Sequence, residues 1–250
     1  MQPLSVSIIT FNEEKNIERC IESVKTIADE ILIIDSFSTD NTVAIAESKG
    51  AIVHQEKFRG YIEQKNFALQ FTAHPLVLCL DADEALNEIL IHSILEIKTA
   101  TTVQAFTMNR CTNYCGRFIR NGLWYPDKKL RLFDKRIARW GGVNPHDKII
   151  LTQQVKVHHL KGDLLHYSYN SIEEHMLQNN KFSTISAEAM HKTGKRTNLF
   201  KIIVHPVWAF IHGYFFRLGL LDGFYGFVIA INVAHLTFQK HTKLYQLQKN

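Results

Sequence analysis

The stretch PLVLCLDADEAL, residues 75–86, sets three carboxylates, Asp81, Asp83 and Glu84, directly behind an apolar run. In an extended chain residues two apart share a face, so Asp81 and Asp83 are expected to point the same way. Two carboxylates held that close resist joint ionisation unless positive charge sits between them. A divalent cation carrying a diphosphate would supply it: magnesium or manganese takes hard oxygen ligands, accepts one or two carboxylates, and completes its shell with phosphate oxygens and water. An Asp-x-Asp is common in loops, so its meaning depends on the elements that position it.

The apolar run before Asp81 is the fourth of its kind. Residues 4–9, 30–35, 51–54 and 75–80 read as buried strands, and the segments TFNEEKNIERCIESV, SFSTDNTVAIAESKG and GYIEQKNFALQF between them carry helical periodicity. Asn12 is expected to cap the first helix and Ser38 or Asp40 the second, with Gly50 as its stop. Strands that alternate with single helices lie parallel with right-handed crossovers, giving a doubly wound α/β sheet covered on both faces. Ligands bind such sheets outside the carboxyl ends of the strands. Those ends carry Thr10, Phe11, Asn12 and Glu13, then Asp35 and Ser36, then Asp81, Ala82 and Asp83. Any one of these is accounted for as a helix cap or loop residue. Their convergence on one rim points to a binding site.

Three enzyme classes that use such carboxylates fit poorly. A haloacid-dehalogenase-like phosphatase needs its Asp-x-Asp after the first strand, a sugar-phosphate nucleotidyltransferase needs a Gly-rich basic loop where this chain has TFNEEKN, and a Rossmann dehydrogenase needs GxGxxG in that turn. A net charge of +5 over 250 residues is too mild for a nucleic-acid partner. The four cysteines sit mostly in apolar patterns and are expected to be reduced thiols; a zinc site of Cys111, Cys115, His158 and His159 lacks the usual short knuckle spacing. The N-terminus shows neither a basic leader nor a small-residue cleavage site, so the chain is expected to begin in the cytoplasm.

The segments SIITFNEEKNIERCIES, ILIIDSFSTDNT, GYIEQKNFAL and LCLDADEAL, in that order over about the first hundred residues, resemble glycosyltransferase family 2, inverting enzymes of GT-A fold. The later GLWYPDKKLRLF, RWGGVNPHDK and GLLDGFYGF are similar to the subgroup of lipopolysaccharide inner-core glucosyltransferases. The resemblance implies that Thr10, Phe11, Asn12, Glu13 and Asp35 hold the nucleoside of a nucleotide sugar, a UDP-sugar by preference. It further implies that Lys65 reaches the diphosphate, Asp81 faces the ribose or sugar, and Asp83 ligates the metal, Mg or Mn. An inverting displacement needs a base for the acceptor hydroxyl. By the same resemblance Asp147 is the candidate, with His146 as its neighbour or an acceptor contact; in the subgroup the position holds Glu. An ordinary turn after Pro145 is the competing reading.

Three consecutive parts are expected: residues 1–110 as the nucleotide-sugar-binding half, 111–170 as the acceptor side, and 171–250 as an apolar helical C-terminal region. Gly223–Phe238 has no formal charge with His235 neutral but is shorter than the ~20 residues of a spanning helix. The segment before it is interrupted by Lys201, Pro206 and Arg217, so the expectation is peripheral contact with the cytoplasmic face of the inner membrane, a buried helical hairpin being the alternative. Together these readings predict a metal-dependent inverting hexosyltransferase that acts on a cell-envelope glycan, with the lipopolysaccharide core as the expected acceptor. The alternatives are transfer to a polyprenyl phosphate or other acceptor, or a catalytically silent nucleotide-sugar binder.

Overall fold

The computed structural model describes residues 1–99, 104–144 and 146–249, His146 by its backbone alone. The elements run β1 (Leu4–Thr10), α1 (Ile17–Val24), β2 (Glu30–Asp35), α2 (Thr42–Ser48), β3 (Ile52–Gln55), α3 (Tyr61–Phe71), β4 (Leu76–Asp81), β5 (Glu84–Leu86) and α4 (Glu88–Ile97). They continue as β6 (Ala105–Tyr114), β7 (Arg117–Phe118), β8 (Asp127–Asp134), β9 (Ala138–Val143), β10 (His146–Leu151), β11 (Val157–Tyr169), α5 (Ile172–Lys192), α6 (Leu199–Ile211) and α7 (Gly223–Leu247).

The chain divides into two compact units, one of Met1–Arg110 with Asp127–Tyr167, the other of Cys111–Pro126 with Ser168–Asn250. The division differs from the three consecutive parts expected. Residues 127–167 return to the first unit because β8 pairs antiparallel with β4, and Cys111–Pro126 groups instead with the C-terminal helices.

In the first unit β3, β2, β1 and β4 lie side by side in parallel, and the sheet continues through β8, β6, β11 and β5. The pairings β4–β8, β6–β8 and β11–β5 are antiparallel, so the sheet is mixed. Alternation along β4 divides its burden: Leu76, Leu78 and Leu80 join one apolar layer with Ile17, Ile21 and Val24 of α1 and Leu90 and Ile94 of α4, while Val77 and Cys79 face Leu69 of α3, Phe133 and Trp140. Buried residues at 17, 20, 21 and 24 keep one face of α1 inward. β9 and β10 form a separate antiparallel ribbon.

The second unit packs α7 against α5 and α6. Asp222 is buried there, and its carboxylate accepts from the backbone N–H of Arg120 (3.3 Å) and Asn121 (2.9 Å). A Cβ at Gly226 would come within 1.9 Å of the Gly219 carbonyl oxygen, so only glycine permits this approach. Within the unit, Tyr114 Oη and His175 Nδ1 lie 3.0 Å apart in an aromatic cluster with Trp124, Tyr169 and Tyr225. By length and composition, Leu199–Phe216 and Gly219–Leu247 are apolar enough to cross a membrane. The four cysteines form no disulfide, and among the described residues no three His, Cys, Asp or Glu side chains gather as a metal group.

Candidate active site

A cleft of about 620 Å³ opens at the carboxyl ends of the parallel strands. Thr10, Phe11 and Glu13 line it after β1, Ser36 after β2, Asp81, Ala82 and Asp83 after β4, and Lys57, Phe58 and Tyr61 from the β3–α3 connection. His166 of β11 completes it, because β11 runs antiparallel to β5 with His166 opposite Glu84. Its size and mixed lining suit a small polar ligand with an aromatic part.

Two loops that frame this cleft are tied to each other. The Asn12 N–H donates to Ser38 Oγ at 2.8 Å, and the Thr39 N–H donates to Asn12 Oδ1 at 2.8 Å. The Glu13 N–H donates to Thr42 Oγ1 at 2.8 Å, and the Asn41 N–H to Glu14 at 3.2 Å. Asn12 takes a φ of 54°, a left-handed conformation that asparagine tolerates. Asp35 is fully buried and accepts from the Ser38 N–H at 2.9 Å and from Gln55 Nε2 at 3.2 Å. Asn12 and Asp35, expected to contact the nucleoside, therefore brace the loops. Asn12 does not cap α1 either, whose first turn follows Asn16; Asp40 does serve α2 by accepting from the Thr42 N–H.

The positive charge anticipated near Asp81 is supplied first by the protein. Lys65, only 5% exposed, lies 3.0 Å from Asp81 Oδ1, donates to Asp147 Oδ2 at 2.9 Å, and sits 4.5 Å from the Trp140 ring centre. Arg131, also buried, donates from Nη2 to Asp81 Oδ2 and to Glu84 Oε1, each at 2.9 Å. Burial opposes ionisation of Asp81, but the adjacent Lys65 and Arg131 charges overcome it and hold its carboxyl far below the ordinary range. Lys65, expected at the diphosphate, is thus occupied by two carboxylates and does not line the cleft. Asp147 does not line the cleft; it joins the cluster through that shared ammonium, which engages its Oδ2. The side chain of His146, and Pro145 with its expected turn, lie outside the described residues.

Asp83 differs from Asp81. It stands in the turn after β4 rather than on an extended strand, so the shared-face argument does not hold, yet both line the cleft. Its Oδ2 lies 3.1 Å from His166 Nε2, while His166 Nδ1 is buried with no hydrogen-bond partner among the described residues. The Glu13 carboxyl is pushed up by burial and by the negative charges of Asp83, Asp40 and Asp81, against a bond from Asn16. This wall therefore carries a negative field from Glu13, Asp81 and Asp83, with the His166 imidazole beside Asp83. Magnesium is held by one or two carboxylates while phosphates and water fill the remaining positions, so Asp83, which pairs with neither Lys65 nor Arg131, fits a cation that arrives with a nucleotide. Thr10 Oγ1 is likewise buried without a partner among the described residues.

Sequence reasoning missed Arg131, Glu84 as its partner, His166, Lys57, Phe58 and Tyr61. A signal existed for Arg131, an arginine between leucines in the strand pattern LRLF, and for His166 in the strand DLLHYSY. No periodicity marks the β3–α3 connection.

The family model described as "Glycosyl transferase family 2" matches residues 5–156, which hold this entire cleft except His166. The chain belongs to glycosyltransferase family 2. This glycosyltransferase is 34% identical over 258 residues to a glycosyltransferase of Rickettsia typhi, spanning 99% of the present chain and 88% of the relative. It is 33% identical over 252 residues to the lipopolysaccharide core biosynthesis glycosyltransferase LpsC of Rhizobium meliloti, spanning 98% and 92%. Among solved structures, glucosyl-3-phosphoglycerate synthase from Mycobacterium tuberculosis, in complex with Mn2+ and UDP, is 22% identical with a TM-score of 0.38. That match covers 45% of this chain and 44% of the synthase, under half of its length.

Proposed function

We propose that this family 2 enzyme moves a hexose, with inversion, from a UDP-sugar to a hydroxyl of a cell-envelope glycan, the lipopolysaccharide core, at the cytoplasmic face of the inner membrane. The observation that carries the reading is the cleft in which Asp83 and His166, the unpartnered Thr10 hydroxyl and the exposed Phe11 face one space. The choice of acceptor is supported by the name of the Rhizobium meliloti relative, and the location by the two apolar C-terminal segments.

In this reading Phe11 and Phe58 flank the base, Thr10 donates to the nucleotide, and Lys57 replaces Lys65 as the cation facing the phosphates, since among the described residues no ion pair engages it. Asp83, with His166 beside it, holds the divalent cation. When bound, the cation stabilises charge growing on the departing diphosphate. Asp147 stands beside the cleft lining, tied through Lys65 to Asp81, which does line it; an acceptor approaching from that side passes its hydroxyl proton to Asp147 as its oxygen bonds to the anomeric carbon and the bond to the diphosphate breaks.

The test is UDP release from UDP-sugars with manganese, in the presence and absence of truncated lipopolysaccharide core. Asp83→Ala and Asp147→Asn are expected to abolish transfer with the fold intact. Full activity in excess chelator would remove the metal role of Asp83, near-normal turnover of Asp147→Asn would remove it as base, and sugar appearing on a polyprenyl phosphate instead would replace the acceptor.

A further inference from the structure

Helix α6 wears its apolar stripe outward. Leu199, Phe200, Ile203, Val207 and Trp208 recur at helical spacing and are each more than half exposed, whereas the opposite face holds buried Ile202 and ties His205 Nδ1 to His241 Nε2 of α7 at 3.0 Å. An amphipathic helix of a water-soluble domain turns such a stripe toward its core. The turn that follows and the start of α7 are also apolar and open: Phe215 at 52%, Phe216 at 68%, Leu221 at 58% and Phe224 at 66% exposure. The stripe and the turn meet where the Trp208 and Phe216 rings lie 5.8 Å apart, and an exposed apolar patch rimmed by polar residues marks a partner.

Charge identifies that partner. Of the chain's 29 Lys and Arg, 11 fall in the second unit, but only four of its 24 Asp and Glu do. From residue 189 to the end there are eight Lys and Arg against a single acid, Asp222, which is buried on backbone N–H groups. Lys195, Arg196 and Arg217 are exposed around the apolar surface. Apolar and aromatic side chains within a cationic collar fit the interface of a bilayer bearing anionic headgroups.

We propose that α6, the turn over residues 212–222 and the start of α7 form a wedge that enters one leaflet of an anionic bilayer, with Phe215, Phe216, Leu221 and Phe224 deepest, and does not cross it. Crossing is opposed by α7 from Asn232 onward, which is committed to polar contacts within the unit: Asn179 Nδ2 donates to the Asn232 carbonyl, His241 meets buried Thr197, and Lys243 donates to Asn180 and Ser183 of α5. The outward apolar residues of α7, Phe224 to Phe238, span about 22 Å at 1.5 Å per residue, short of a hydrocarbon core of about 30 Å. The wedge deepens the proposed inner-membrane location and takes nothing from the catalytic reading.

The experiment is co-sedimentation of the full chain with phosphatidylcholine vesicles, with and without about 30% phosphatidylglycerol, at low and high salt. Expected are strong salt-sensitive binding to the anionic vesicles, weak binding to the neutral ones, and a loss of about tenfold in Phe216→Glu/Leu221→Glu. Lys195→Glu/Arg196→Glu, in the cationic collar and not among the apolar side chains, should lower only the anionic preference and covers the case in which the first variant misfolds. UDP release in solution is measured in parallel; it stays unchanged in folded variants, so failure of the wedge and failure of the transferase reading are separately visible. Trp208 fluorescence should be quenched most by lipids brominated near the headgroup. The proposal is overturned if wild type ignores anionic vesicles, if both variants bind as wild type does, if quenching is greatest at the bilayer centre, or if the surface instead mediates self-association that Phe216→Glu/Leu221→Glu abolishes.

Discussion

Replacing Arg131 by methionine removes a guanidinium and keeps most of the volume. Its Nη2 serves two carboxylates at 2.9 Å, but the two losses are unequal. Asp81 keeps Lys65 at 3.0 Å. Glu84, with no exposed side-chain surface, keeps among the described residues only the Asp81 N–H at 3.0 Å and the Arg110 guanidinium at 3.7 Å. The variant thus leaves one buried carboxylate nearly uncompensated, a defect that costs about 3–5 kcal/mol. At about 2–4 °C per kcal/mol for a chain of this size, the first unit should melt roughly 10 °C lower. Trp140, 5.4 Å from the Arg131 guanidinium, reports that unit's unfolding by fluorescence. Arg131→Met/Glu84→Gln removes the stranded charge and should recover at least half of the loss. A single variant within about 1 kcal/mol of wild type, or a double variant no better than the single, would refute the account of Glu84 as the dependent partner.

Two further outcomes follow from particular side chains. Lys57→Ala should raise the KM for the nucleotide sugar about fivefold, the worth of ~1 kcal/mol for one exposed charge-assisted contact, with kcat little changed; an unchanged KM would take Lys57 off the phosphates. Burial pushes His175 down to about 4 from 6.5, so the folded second unit resists a proton that the unfolded chain accepts. Stability is full above pH 6.5 and falls as pH drops from there toward 4; urea midpoints of wild type should decline over that window and those of His175→Asn should decline less.

The parallel half of the fold was legible because its signals are local. Apolar runs, helical periodicity and Gly50, at φ 86°, each report on a few neighbouring residues, and the ends of β1, β2 and β4 follow from them. Even Asp147, about 80 residues from Lys65, was drawn into the cluster by family resemblance, not by spacing. What stayed hidden depends on antiparallel pairings between distant strands. Arg131 reaches Asp81 because β8 lies against β4, and His166 reaches Asp83 because β11 lies against β5. The direction in which a polar side chain faces was equally hidden: Asn12, Asp35 and Thr10 look alike as motif residues, yet two brace loops and one fronts the cleft. Lys65 on a helix reads as a surface cation, and only its burial against Trp140 shows otherwise.

The ties between Asn12, Ser38 and Thr39, and between Glu13 and Thr42, make two loops nearly thirty residues apart a single mechanical part. Anyone seeking to change donor preference by grafting one loop from a relative would transplant half a clamp, and the unmatched half would shift Phe11 and Thr10 whatever the graft itself contained. The exchangeable unit in this enzyme is the pair.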